Sequence, residues 1–134
     1  MIIDIDDNFD NFDNFNNDEI NDKKFTEMIN KQLKNISTEN RLHLSDIKRI
    51  SQRTNTSLFD PVECSLWNGY ITNTSNPNKG IYINFYFRNK KVALHRLLYA
   101  NFVESLGSHE YIRFTCKNQG KCCNVNHMEK HKFA

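Results

Sequence analysis

Cys116, Cys122, Cys123, His127 and His131 fall in one short polar stretch, and Cys64 is the only other cysteine. Thiolates and imidazoles this dense suit Zn²⁺, which takes four Cys or His ligands in a tetrahedron. Adjacent Cys122 and Cys123 do not suit a disulfide with each other, because that ring is strained. The N-terminus is acidic and has no secretory pattern, so a disulfide scaffold is not expected. Spacing alone leaves two ligand sets open. One is Cys64, Cys116, Cys122 and His127, with a distant first ligand. The other is local: Cys116, Cys122 or Cys123, His127 and His131. Either would act as a structural staple, contributing on the order of 10 kcal/mol to folding at neutral pH.

The elements that must hold these residues follow from pattern. With 134 residues the chain has room for one domain, which gains from a metal staple. Residues 1–22 carry an Asp-Asn-Phe repeat and read as a disordered acidic tail. Residues 23–59 read as a helical N-terminal extension. Phe25, Met28, Ile29, Leu33 and Ile36 share one face of a helix over 23–36. A second helix is expected to start at a Ser45 N-cap, with Ile47 and Ile50 inward and Lys48, Arg49 and Arg53 outward. Residues 60–134 form the cysteine-bearing domain. Strands are expected over 64–72, 80–87, 91–94 and 110–116. Arg88-Asn89-Lys90 reads as a tight turn, 95–104 as a helix, and 127–133 as one or two helical turns. The fold class is α+β.

Charge narrows the partner. Residues 1–22 hold eight of the 16 Asp and Glu and no Lys or Arg, so residues 23–134 carry +10. A basic domain of that size favours a polyanion, most often nucleic acid. No apolar run approaches the roughly 20 residues that span a bilayer, and no membrane partner is expected. The acidic tail is a candidate to dock on a protein partner or to compete with nucleic acid for the basic domain. Twenty asparagines suit an AT-rich genome, as in a large DNA virus. The expected location is intracellular, in host cytoplasm or nucleus or in a virion, and not secreted.

Residues 64–128 resemble the zinc-binding module of HNH homing endonucleases, relatives of the His-Cys box enzymes in the His-Me finger (ββα-metal) superfamily. The resemblance rests on Cys64-x-x-Trp67-x-Gly69, then Gly80-Ile81-Tyr82, then Ala93-Leu94-His95-Arg96-Leu97-Leu98-Tyr99. It ends on Cys116-Lys117-Asn118 and Cys122-Cys123-Asn124-Val125-Asn126-His127-Met128. It covers about half the chain and implies the first ligand set, Cys64, Cys116, Cys122 and His127, around a structural Zn²⁺. The Cys116–Cys122 interval is one residue longer than the family's, so the loop must bulge.

The resemblance also implies what is missing. The family's general-base histidine falls two residues before the second ligand cysteine, where this chain has Phe114. Phenylalanine cannot take a proton. The family's metal-binding Asn, in a helix after the last His, has no counterpart before Ala134. His95 and His109 do not fall at the base position. The implied protein is an inactive nuclease relative, with no catalytic residues, that binds nucleic acid, chiefly double-stranded DNA. Arg88, Lys90, Lys91, Arg96, Lys117 and Lys121 are the expected phosphate contacts. Among Tyr82, Phe85 and Tyr86, any exposed ring is a base-stacking candidate, whereas Trp67 is expected in the core. Two other readings compete: a zinc-stapled structural or protein-interaction module, virion-associated, and a residual Mg²⁺-dependent nuclease.

Overall fold

The computed structural model describes residues 11–133. Helix α1 spans Asn11–Lys31, α2 Leu44–Arg53 and α3 Leu94–Phe102. Strands β1 (Asn84–Phe87) and β2 (Lys90–Ala93) form one antiparallel hairpin, and β3 (Glu110–Phe114) and β4 (Met128–Lys132) form a second. This is an α+β architecture, with α3 lying between the hairpins in the chain.

The expected disordered tail over 1–22 needs correction. Helix α1 already begins at Asn11, and residues 1–10 of that tail lie outside the described residues. The helix ends at Lys31 rather than Ile36. Just past its end the Leu33 N–H goes to the Asn101 carbonyl of α3 at 2.9 Å instead of back along the helix, so the chain leaves it. Met28 is buried at the seam, while Ile29 stays 38% exposed. The buried Lys24 ammonium donates to the Thr54 carbonyl at the C-cap of α2. A cation there meets the negative end of the helix dipole.

Helix α2 starts at Leu44, one residue ahead of the expected Ser45 cap. Asp46 in its first turn accepts the His43 N–H at 2.9 Å, which satisfies a donor the helix leaves unpaired. Ile47 and Ile50 are fully buried, as expected. They join Met28, Leu42, Phe85, Leu94, Leu98, Ile112 and Val125 in one core cluster. The N-terminal helices are therefore part of the same core as the cysteine-bearing segment.

Buried Asn101 ties the two together. Its amide NH₂ donates to the Asn40 and Leu97 carbonyls, both at 2.8 Å, and its Oδ1 accepts from Leu42 N–H at 2.9 Å and Gln32 Nε2 at 2.8 Å. Both donors and both acceptor sites are used, which is what burial of an amide demands.

The cysteine-bearing segment departs from expectation as well, and its first expected hairpin strand, 80–87, is regular only over Asn84–Phe87. Residues 64–72 make no continuous strand. Their backbone is divided among partners: Thr54↔Trp67 and Leu66↔Cys122 are isolated bridges, and Asn68 N–H goes to the Arg53 carbonyl. A segment shared between two neighbours cannot build one ladder. Residues 128–132 form β4 rather than helical turns, because β3 needs a partner and the register Ile112↔Lys130 supplies it. The β1–β2 turn is as expected, with Arg88 and Asn89 at φ 52° and 67°. Two successive positive φ values give the turn twist that suits a two-residue hairpin loop.

Candidate metal centre

Four side chains from three places in the chain converge at one end of the β3–β4 hairpin. Cys116 follows β3 directly, and Thr115 N–H bonds to the His127 carbonyl at 2.9 Å. This bond extends the hairpin and sets Cys116 beside His127. Cys122 sits between them on a tight turn, where Lys121 and Cys122 N–H both reach the Asn118 carbonyl at 3.0 Å. Gly120 makes the turn possible with φ 80°. A Cβ there would run into the Ile81 carbonyl, so the longer Cys116–Cys122 loop passes directly over the Gly80–Ile81 backbone.

Cys64 arrives from a distant point in the chain. The Asp60 carboxylate accepts the Val62 and Glu63 N–H groups at 2.8 and 2.7 Å, which folds a turn just before it. These bonds hold the Asp60 carboxyl below the usual range. Buried Asn124 clamps that turn to the ligand loop, donating to the Asp60 and Glu63 carbonyls at 2.9 and 2.7 Å. Asn126 adds bonds to the Phe59 and Asp60 carbonyls at 3.1 Å.

The ligand atoms of Cys64, Cys116, Cys122 and His127 all lie within 4.8 Å of one another, and together they can hold a metal ion. Cys64 Sγ and Cys122 Sγ are each 3.6 Å from His127 Nδ1. Backbone amides face the sulfurs, with Asn124 N–H on Cys122 Sγ at 3.3 Å and Asn118 N–H on Cys116. Desolvation opposes ionisation of Cys64, but hydrogen bonds from Asn118, Cys116 and Cys122 together outweigh it and lower its pKa. Burial raises Cys116, and it pushes Cys122 up to about 12. A cation is what would offset the cost of ionising all three thiols at once.

Of the two ligand sets, this is the one with Cys64. Cys123 faces the core, 1% exposed, and burial raises its thiol pKa. His131 lies on β4, stacked on Tyr111 at 5.7 Å and bonded to Glu129 at 3.1 Å. The motif includes Asn118 and Asn124, but sequence reasoning alone assigned them no role. Each falls two residues after a ligand cysteine, in Cys116-Lys117-Asn118 and Cys122-Cys123-Asn124, where its own N–H turns back onto the thiolate.

Gly69 and Trp67 belong to the same frame. A Cβ at Gly69 would sit 2.7 Å from the Trp67 indole nitrogen, so only glycine leaves room for the indole. The indole packs edge-on to Phe85 at 6.5 Å.

The expected base position holds Phe114, packed edge-on against His95 at 5.4 Å. Burial, with a smaller push from Arg96, lowers the His95 pKa to about 4, so its ring is neutral at pH 7. Among the expected phosphate contacts, Lys90, Lys91 and Lys117 are exposed. Arg88 leans over the Phe87 ring at 5.0 Å. Lys121 is half-buried in the metal loop. Arg96 is committed elsewhere. Its guanidinium donates to the Glu110 and Gly107 carbonyls at 2.7 and 3.0 Å, so its first role is to brace the loop before β3. Among the described residues, no helix is long and apolar enough to cross a membrane.

The chain is 57% identical over 110 residues to an uncharacterized protein of Acanthamoeba polyphaga mimivirus. The match takes in 82% of this chain and 32% of that protein, so the chain spans about a third of its viral relative's length. No family model and no solved structure matches the chain.

Proposed function

We propose that this chain is a zinc-stapled, non-catalytic domain of HNH-nuclease descent that binds nucleic acid, chiefly double-stranded DNA, through a basic face. The observation that carries the reading is the metal centre. The four residues in contact are those that the resemblance to the HNH module assigns as ligands, drawn from positions as far apart as Cys64 and His127. Zinc fits the donors. A tetrahedron with Zn–S of about 2.3 Å and Zn–N of about 2.0–2.1 Å has S···N edges of about 3.6 Å, and both thiol–imidazole distances are 3.6 Å. Three thiols and an imidazole fill all four positions, which leaves no open site for substrate.

Loss of catalysis is supported by Phe114, whose ring replaces a base with a packing contact to His95. A histidine with a pKa near 4 is a weak proton acceptor at pH 7. Nucleic-acid binding is supported by the +10 charge of residues 23–134 and by the exposure of Lys90, Lys91 and Lys117. The test is fluorescence polarisation of the zinc-loaded protein on a short labelled duplex at two salt concentrations, with and without Mg²⁺, followed by a denaturing gel. Salt-sensitive binding with intact DNA is the expected result. Cleaved DNA would return the protein to the nucleases. Absence of binding at low salt would make the zinc-stapled structural or protein-interaction module, in a virion or elsewhere, the better reading.

A further inference from the structure

A second feature lies between α2 and β1. It is a cleft of about 260 Å³ whose floor and walls include Trp67, Phe85, Asn84 and Tyr86 on one side and Gln52 and Arg53 on the other. Arg49 also lines it. Its guanidinium is fixed by Asp46 at 2.7 Å and by the Tyr86 carbonyl at 2.9 Å, and it lies 4.3 Å from the Phe85 ring centre. None of the lining residues is acidic. Tyr86 is 56% exposed although its strand neighbours Phe85 and Phe87 are buried. Lys91 stands directly across the hairpin from it, so ring and ammonium share the outer face.

We propose that this cleft takes one unpaired nucleotide of a bound nucleic acid, a deepening that rests on the nucleic-acid reading above. The chemistry is complementary at each part. The Tyr86 ring offers an exposed π-face for a base, and any base stacks on such a surface. The Gln52 and Asn84 amides carry both donors and acceptors for a base edge. Arg53, at the exposed end of α2, and Lys91 flank the ring with positive charge for the phosphates. The volume is below that of a typical pocket for a drug-sized ligand, roughly 300–1,000 Å³, so the cleft suits one nucleoside and not a helical groove. A base stacked in a duplex cannot enter it, whereas one in an overhang or loop can. The protein accordingly prefers duplexes with a single-stranded extension.

The test compares a blunt labelled duplex with the same duplex carrying a single-stranded overhang. The zinc-loaded protein is expected to bind the overhang probe more tightly. Tyr86→Ala should weaken overhang binding by about 5- to 150-fold and leave the blunt duplex nearly unchanged. Tyr86→Phe should restore the preference, since it keeps the ring. Lys90→Ala with Lys117→Ala should weaken both probes alike, because those lysines lie outside the cleft. Equal binding of the two probes by the native protein, or an overhang preference that survives Tyr86→Ala, overturns the cleft assignment while the basic-face reading stands. Failure of both probes to bind at low salt overturns both.

Discussion

Cys64 and Cys123 make opposite predictions, although both are cysteines near the same loop. Cys64 supplies a sulfur 3.6 Å from His127 Nδ1, whereas Cys123 faces the core. Cys64→Ser should therefore abolish stoichiometric zinc, read by elemental mass spectrometry. Cys123→Ala should keep one zinc per chain and cost only about 1–2 kcal/mol of packing. Loss of zinc in the Cys123 variant would reassign the ligand set. Gly120 is as stringent as a ligand for a different reason. Gly120→Ala places a methyl on the Ile81 carbonyl at a positive φ, and it should lower the unfolding midpoint sharply.

His95 gives a pH signature. Its folded pKa of about 4 lies below the ordinary histidine value of 6.5, so the unfolded chain binds the extra proton between those values. Stability contributed by the neutral buried ring is complete above pH 6.5 and is lost as pH falls toward 4. Between pH 7 and pH 5 this amounts to about 2 kcal/mol. Because acid also protonates zinc ligands, the measurement is the difference in denaturant midpoint between native protein and His95→Gln at the two pH values. The native protein should lose more.

Among the elements, the junction of α1 and α2 with α3 hangs on Asn101. Four hydrogen bonds converge on a side chain that is fully buried. Asn101→Leu fills much the same space but leaves the Leu42 N–H and the Asn40 carbonyl without partners. Each such buried group costs about 1–3 kcal/mol, so a loss of about 3 kcal/mol is expected. Hydrogen exchange should quicken in residues 24–50 before it does in the β3–β4 hairpin. Uniform quickening would mean that the helices and hairpins unfold as one cooperative unit. The hairpins depend less on such a knot, because the metal loop closes β3–β4 at one end and the turn Arg88-Asn89 closes β1–β2.

At the scale of the whole molecule, the candidate metal site and the basic charge are what can be tested. Among the described residues, two small two-stranded sheets and three helices leave a modest core, so a chelator should unfold the domain or broaden its transition, read by circular dichroism. Binding to DNA should weaken as salt rises, with each lost phosphate contact flattening the slope of log K against log salt by about 0.9. Lys90→Ala and Lys117→Ala should each flatten it. Arg96→Ala should instead lower stability, because its guanidinium is already spent on two backbone carbonyls.

How much of this was legible in the sequence varies with the range of the contact. The β1–β2 turn and helix α3 were readable because a local pattern decides them. The cluster of Cys64, Cys116, Cys122 and His127 was readable because Cys and His at those spacings have few other uses, and the resemblance chose among the possible sets. The Asn101 knot was not, since one Asn among twenty carries no mark of the four partners it meets. Nor was β4, since Met128–Lys132 has no strand pattern of its own and extends because β3 offers it a ladder. Local chemistry thus determined the gathering of Cys and His near the C-terminal hairpin, the basic charge and the α+β class. Tertiary structure alone decided that the N-terminal helices share the core, that Arg96 braces a loop, and that Tyr86 and Trp67 line one cleft. The reason is that hydrogen-bond partners and burial depend on contacts between residues far apart in the chain.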